Sequence, residues 1–182
     1  QSAWPIPADV EGDTPQAEQG RKALGAYCVE DDREQYNTPG IQLGERYEGS
    51  QLIVADQTAA PKDEWYSYSP LDRAGARSPH FTLPDGRSLY AAMGLDFTLL
   101  AFGDADTASL EAAARERNMP LAVVRTDLAE PPAPYQHKLV LIRPDHHIAW
   151  HGHTAGADAI LIIDRVRGVA STHETPKGPP EW

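Results

Sequence analysis

Residues 138–153 read KLVLIRPDHHIAWHGH, two apolar runs, KLVLIRP (138–144) and HIAWHGH (147–153), on either side of a polar break. Short runs rich in branched residues and split by a turn signal read as a β-hairpin, here about Asp145-His146. Upstream, FTLLAFG (97–103) is an unbroken apolar run, the pattern of a strand covered on both faces, and LAVVRTD (121–127) reads as the next strand. Between them DADTASLEAAARERN (104–118) is a helix, capped by Asp104 or Asp106 and stopped by Asn118 and Pro120. PHFTLPDGRSLY (79–90) predicts a further strand, a turn at Asp85-Gly86 and a short helix from Ser88. After the hairpin, AGADAILIIDRVRG (155–168) predicts a helix whose apolar face carries Ile160, Leu161, Ile163 and Val166.

From residue 79 the order is therefore β-α-β-α-β-β-β-α, that of an α/β thioredoxin-like sandwich with a central mixed sheet and flanking helices. A helical and extended arm, residues 14–78, precedes it. Its helix starts at Thr14 as N-cap with Pro15 in the first turn, and Thr38-Pro39-Gly40 ends it. IQLGERY (41–47) and SQLIVAD (50–56) are short extended candidates, and 57–79 is a long connection across a surface between two bodies. Residues 1–13 read as a loose N-terminal segment and 169–182 as a polar tail.

The bulk properties exclude several function classes. With 16 Lys+Arg against 27 Asp+Glu the chain carries −11, a surface that repels phosphate backbones and anionic lipid, so neither nucleic acid nor membrane is expected as a partner. No apolar run has the length of a membrane span. Cys28 is the single cysteine, which excludes an internal disulfide, a Cys-based zinc site and a CxxC redox pair, and points to a reducing, cytoplasmic setting. The chain begins at Gln1 rather than Met and reads as processed or as a piece of something longer.

Redox proteins of this fold place a reactive cysteine after the strand that FTLLAFG represents, where a helix N-terminus stabilises the thiolate. This sequence has Gly103-Asp104-Ala105-Asp106 there, and the expected domain is redox-dead.

The runs YNTPGIQLGERYEGSQLIVAD, GARSPHFTLPDGRSLYAAMGLDFTLLAFG and LVLIRPDHHIAWHG, in this order, resemble the C-terminal third of FAD-dependent aromatic hydroxylases, the single-component flavoprotein monooxygenases of the phenol, dichlorophenol and polyketide hydroxylase type. The resemblance spans roughly residues 14–168. It implies a non-catalytic structural or dimerisation region, with FAD and NAD(P)H used by the parent enzyme rather than by this chain. It also implies that the partner is the upstream flavin domain or a second copy. No GxGxxG turn occurs here, and Gly103-Asp104-Ala105 begins like the family's second flavin motif but continues without its histidine and proline. The family's hairpin tends to carry arginine where His151 stands.

Two further sets of residues are singled out. His147, His151 and His153 share one face of a regular strand, where three imidazoles could hold zinc or copper. Against that stand the divergence of i, i+2 side chains and the lack of a completing ligand nearby in sequence, so the expectation is no metal and a solvated hairpin edge. Ile41, Leu43 and Tyr47 are apolar at alternating positions in an arm without its own core, and are the interface candidates. Two alternatives to the hydroxylase reading stay open: a freestanding redox-dead interaction module, and a metalloprotein using the histidine cluster.

Overall fold

In a computed structural model of the chain, residues 6–169 are described, so residues 1–5 of the expected N-terminal segment and 170–182 of the expected tail lie outside the described residues. The described chain falls into two compact units. One comprises residues up to Leu43 together with Asp63–Tyr68; the other comprises Gly44–Lys62 and the chain from Ser69 onward.

The first unit is helical. Helix α1, Pro15–Tyr36, starts as its sequence requires: Thr14 is extended and its Oγ1 accepts the Ala17 N–H at 3.1 Å, with Pro15 in the first turn. The segment before it turns twice, through Val10 N–H to Pro7 O and Gly12 N–H to Asp9 O, and Arg21 ties it down by donating to the Val10 and Gly12 carbonyls. Pro39 and Gly40 start a second helix, α2, Pro39–Gly44, rather than the extended run expected over 41–47. Gly40 is required there: a Cβ would lie 1.5 Å from the Glu64 carbonyl oxygen.

The second unit is built on a four-stranded mixed sheet. Helix α3, Leu89–Ala92, precedes β1, Phe97–Phe102; then come α4, Ala108–Glu116, β2, Leu121–Thr126, β3, Leu139–Ile142, β4, Ile148–Gly152, and α5, Ala159–Val166. The sheet order is β2-β1-β3-β4, with β1 parallel to β2 and antiparallel to β3, and β3 antiparallel to β4. The unbroken apolar run of β1 is central and covered on both sides. Leu99 and Ala101 join Leu110, Ala113, Ile162, Ile163 and Val166 of the two helices on one face. Leu100 and Phe102 join Leu83, Leu89, Tyr135 and Ile148 on the other. Each large side chain fully buried there stabilises the fold by roughly 1.5–3 kcal/mol.

Three expected elements differ. The strand expected over 79–83 is a single bridge, Thr82 to Ser88, because no neighbouring strand runs beside it. Residues 50–56 are turns and coil rather than extended strand. In α5, Ile162 takes the buried position expected of Leu161, which is 68% exposed.

The hairpin carries an irregularity that redirects its side chains. Leu141 pairs with Trp150 but Ile142 pairs with Ile148, so Ala149 is an extra residue in β4, a β-bulge. Its carbonyl accepts the Val54 N–H at 2.8 Å. Beside it, Gly75 N–H donates to Ile148 O and Ile148 N–H to Ala76 O. The segments around Val54 and Gly75–Arg77 thus cover the outer edge of β4, where bare backbone groups would otherwise invite pairing.

Candidate functional site

The bulge sends the hairpin histidines apart. Trp150 packs with Leu141 on the helix-covered face while Ile148 packs on the opposite face, so side chains on the two sides of Ala149 no longer alternate as in a regular strand. His147 therefore leaves the face of His151. Its ring meets Tyr47 edge-on at 4.7 Å, and its Nδ1 lies 3.0 Å from the Asp145 carbonyl. His153 lies beside His137, ring centroids 5.2 Å apart.

His151 enters a different constellation, none of whose partners lies near it in sequence. Its Nδ1 is 2.8 Å from Asp72 Oδ1 and its Nε2 is 2.6 Å from Asp56 Oδ1. Asp72 Oδ2 also accepts the Gln136 N–H at 2.7 Å and the His137 N–H at 3.1 Å, and lies 2.8 Å from His137 Nδ1. Behind Asp56, Arg73 approaches its Oδ2 at 3.2 Å and donates to the Thr58 carbonyl, while Glu48 is shared between Arg73 and Arg46. The Asp72 side chain is fully buried and that of His151 is 11% exposed. An open cleft of about 530 Å³ runs past these groups, lined also by Gln57, Pro61, Pro70 and Pro134.

The protonation of this cluster is set by its bonds. Ionised carboxylates only accept, so an imidazole placed between two of them satisfies both only as the imidazolium, with a proton on each nitrogen. Burial works against charging His151, but the hydrogen bond and charge of Asp72, and then Asp56, raise its pKa above the ordinary imidazole value. Burial likewise works against ionising Asp72; the bonds from His151, Gln136 and His137 offset it and lower that pKa below the ordinary carboxylate value. The result is a charge-assisted polar network in which each member satisfies the next.

Among the described residues, Asp72, His137 and His151 are the group of potential ligands whose donor atoms lie within 4.8 Å of one another, not the hairpin triple His147, His151 and His153. Both nitrogens of His151 face carboxylates, Nδ1 that of Asp72 and Nε2 that of Asp56. Ile41 and Leu43 are 51% and 40% exposed on α2. Tyr47, 37% exposed, is engaged by its own unit, between His147 and the guanidinium of Arg143, which stands 4.9 Å from its ring.

The other place singled out is the start of α4. FAD seats its pyrophosphate on free backbone N–H groups at a helix N-terminus. Here the Ala105 N–H goes to Phe102 O and the Ala108 N–H to Asp106 Oδ1. Arg125 caps the Ala105 carbonyl and bonds Thr107, whose hydroxyl also meets Glu111. Asp104, paired with Lys138 and 94% exposed, adds negative charge at the same point.

Residues 72–170 match the family described as aromatic-ring hydroxylase, C-terminal. The chain is 31% identical over 149 residues to the FAD-dependent monooxygenase apdD of Emericella nidulans, covering 74% of this chain and 23% of that protein. It is 29% identical over 125 residues to the FAD-dependent monooxygenase opdD of Penicillium oxalicum, covering 65% of this chain and 24% of that protein. It thus spans about a quarter of the length of these curated relatives. Among solved structures it is similar to the rebeccamycin biosynthetic enzyme RebC with bound 7-carboxy-K252c, with a TM-score of 0.74, 31% identity and coverage of 92% of this chain and 32% of that one. It is also similar to the flavin-dependent monooxygenase PieE in complex with FAD and substrate, with a TM-score of 0.61, 29% identity and coverage of 87% and 31%.

Proposed function

The chain belongs to the aromatic-ring hydroxylase C-terminal family, and from that premise we propose that it is a non-catalytic structural region of an FAD- and NAD(P)H-dependent aromatic-ring monooxygenase. The observation that carries this reading is that both polar places, the start of α4 and the His151 cluster, have their reactive groups already committed. The start of α4 holds two carboxylates, and the Ala105 and Ala108 N–H groups are committed within the chain, where a thiolate or a phosphate would sit. The Asp56–His151–Asp72 cluster has every nitrogen of its central imidazole committed to a carboxylate. Hydroxylation chemistry then falls to a flavin domain of the parent enzyme, and this region serves by packing.

Its partner is that flavin domain or a second copy of the chain. Ile41 and Leu43, exposed on α2, support such a role, since uncovered apolar area costs about 25 cal/mol per Å². Tyr47 is a weaker candidate because the hairpin of its own unit already engages it. No described helix is long and apolar enough to cross a membrane, which fits the setting of such an enzyme in the cytoplasm.

One experiment tests the reading: titrate the purified 182-residue chain with FAD while following flavin fluorescence and molecular mass together. The expected outcome is no saturable quenching at low micromolar FAD, with a mass that rises with protein concentration. Saturable quenching would assign flavin binding to this chain and sink the non-catalytic reading. A strict monomer at all concentrations would leave the flavin domain as the partner.

A further inference from the structure

We propose that His151 is a proton-operated clasp on the loop between Asp56 and Asp72, closed while the imidazole carries both protons and opened when it loses one. The loop leaves the sheet unit and returns to it, with residues 63–68 clustering instead with the helical unit. Its two stems end on the two nitrogens of one side chain: Asp56 at 2.6 Å and Asp72 at 2.8 Å, 95 and 79 residues away in sequence. A neutral imidazole has one N–H, so deprotonation turns a lone pair toward a carboxylate oxygen within hydrogen-bonding distance, and attraction at that stem becomes repulsion.

The geometry also says which stem opens. Asp72 keeps three bonds that do not involve His151, from the Gln136 and His137 N–H groups and from His137 Nδ1. Asp56 keeps the 3.2 Å approach of Arg73, whose guanidinium is shared with Glu48 and Thr58. The neutral imidazole therefore retains its proton toward Asp72, and the Asp56 side lets go. The cleft of about 530 Å³ gives this stem room to move, since Asp56, Gln57, Thr58 and Pro61 all line it.

The charged and titratable groups facing His151 from each packed element set the response. Asp56 and Asp72 come from the stems and favour the imidazolium. His137, whose ring centroid is 3.9 Å away, comes from the segment before β3 and disfavours it when charged. Arg73, with Glu48 and Arg46 behind it, stands beyond Asp56, and His153 stands beyond His137. The raised pKa of His151 agrees with the carboxylates prevailing.

The test is an NMR titration of the full 182-residue chain, following the His151 ring nitrogens and the backbone amides of 56–58 and 136–137 from pH 5 to 9. The expected result is a doubly protonated His151 at low pH whose deprotonation is accompanied by shifts of the Asp56–Thr58 amides, while the Gln136 and His137 amides move less. His151→Arg, a permanent cation with donors for both stems, should hold the 56–58 amides constant over the same range. His151→Gln should show the open positions at every pH. The clasp is overturned if His151 deprotonates with no change at 56–58, or if His151→Arg retains the wild-type pH response. Stoichiometric zinc found with His151 in the wild-type chain would also overturn it. The wild-type titration alone decides the matter should a variant fail to fold.

Discussion

Helices α1 and α5 share one backbone geometry and differ in what they bury. Helix α1 runs for 22 residues, yet Ala17 is its one fully buried side chain among those described. Helix α5 runs for eight and buries Ala159, Ile162, Ile163 and Val166. The long helix is fastened by local polar devices: the Thr14 cap, the Arg21–Glu18 pair, the Arg21 bonds to two carbonyls, and Gln35 on Asp31. The short one is fastened by an apolar stripe against a sheet. Each local device contributes from a few tenths to about 1 kcal/mol, whereas burying a large side chain contributes two to three times that. Length is thus no guide to which unit resists unfolding.

Core truncation in the sheet unit gives the largest expected effect. Phe102 is fully buried at the end of β1 against Phe81 and Tyr135, so Phe102→Ala should cost about 3–5 kcal/mol in urea unfolding. A loss below about 1 kcal/mol would break the comparison, because the sheet would then not be held by its core.

Next comes the buried polar cluster. Asp72→Asn removes one of the two carboxylate charges that His151 faces, and about 3 kcal/mol should be lost near neutral pH, in the range for breaking one side of a buried pair. The pH dependence sharpens this. Because the folded Asp72 has a lowered pKa, its contribution is present above about 4 and is lost as pH falls through the depressed value. Because the folded His151 has a raised pKa, its contribution is complete below about 6.5 and is lost as pH rises through the elevated value. Wild-type stability from this pair should therefore plateau between about pH 4 and 6.5, and chemical denaturation across pH should show both limbs flattened in Asp72→Asn.

The smallest effect belongs to the long helix. Thr14→Ala should cost about 1 kcal/mol, the usual worth of an N-cap, read as helical circular dichroism lost on mild heating. Amide protection in β1 and β3 should stay as in the wild type. If protection in the sheet falls equally, the two units unfold as one and the comparison no longer holds.

Much of the sheet unit was legible in the sequence because its signals are local. FTLLAFG, LAVVRTD and the two halves of the hairpin each announce a strand, and the cap and stop residues bracket α4. The cluster was not legible. Asp56, Asp72 and His137 come from three separate segments, and no spacing along the chain links them to His151. One hint existed: the resemblance carries arginine at position 151, and a position that asks for a cation implies acids opposite it. The segment 41–47 misled because Pro39-Gly40, which ends α1, also starts α2, proline being as suited to a first helical turn as to a break. Residues 79–83 have strand composition, but a strand needs a neighbour, and composition does not supply one.

The extra residue at Ala149 also bears on how relatives of this chain should be lined up. Insertions are customarily assigned to turns, and here Asp145-His146 would be the natural place for a gap. A gap placed there would slide Ile148 and Ala149 by one position against any relative lacking the bulge and exchange their inside and outside neighbours, so apparent substitutions would be artefacts of alignment. Setting the gap within the strand, at Ala149, keeps Leu141 opposite Trp150 and Ile142 opposite Ile148, and each column then compares residues that meet the same surroundings.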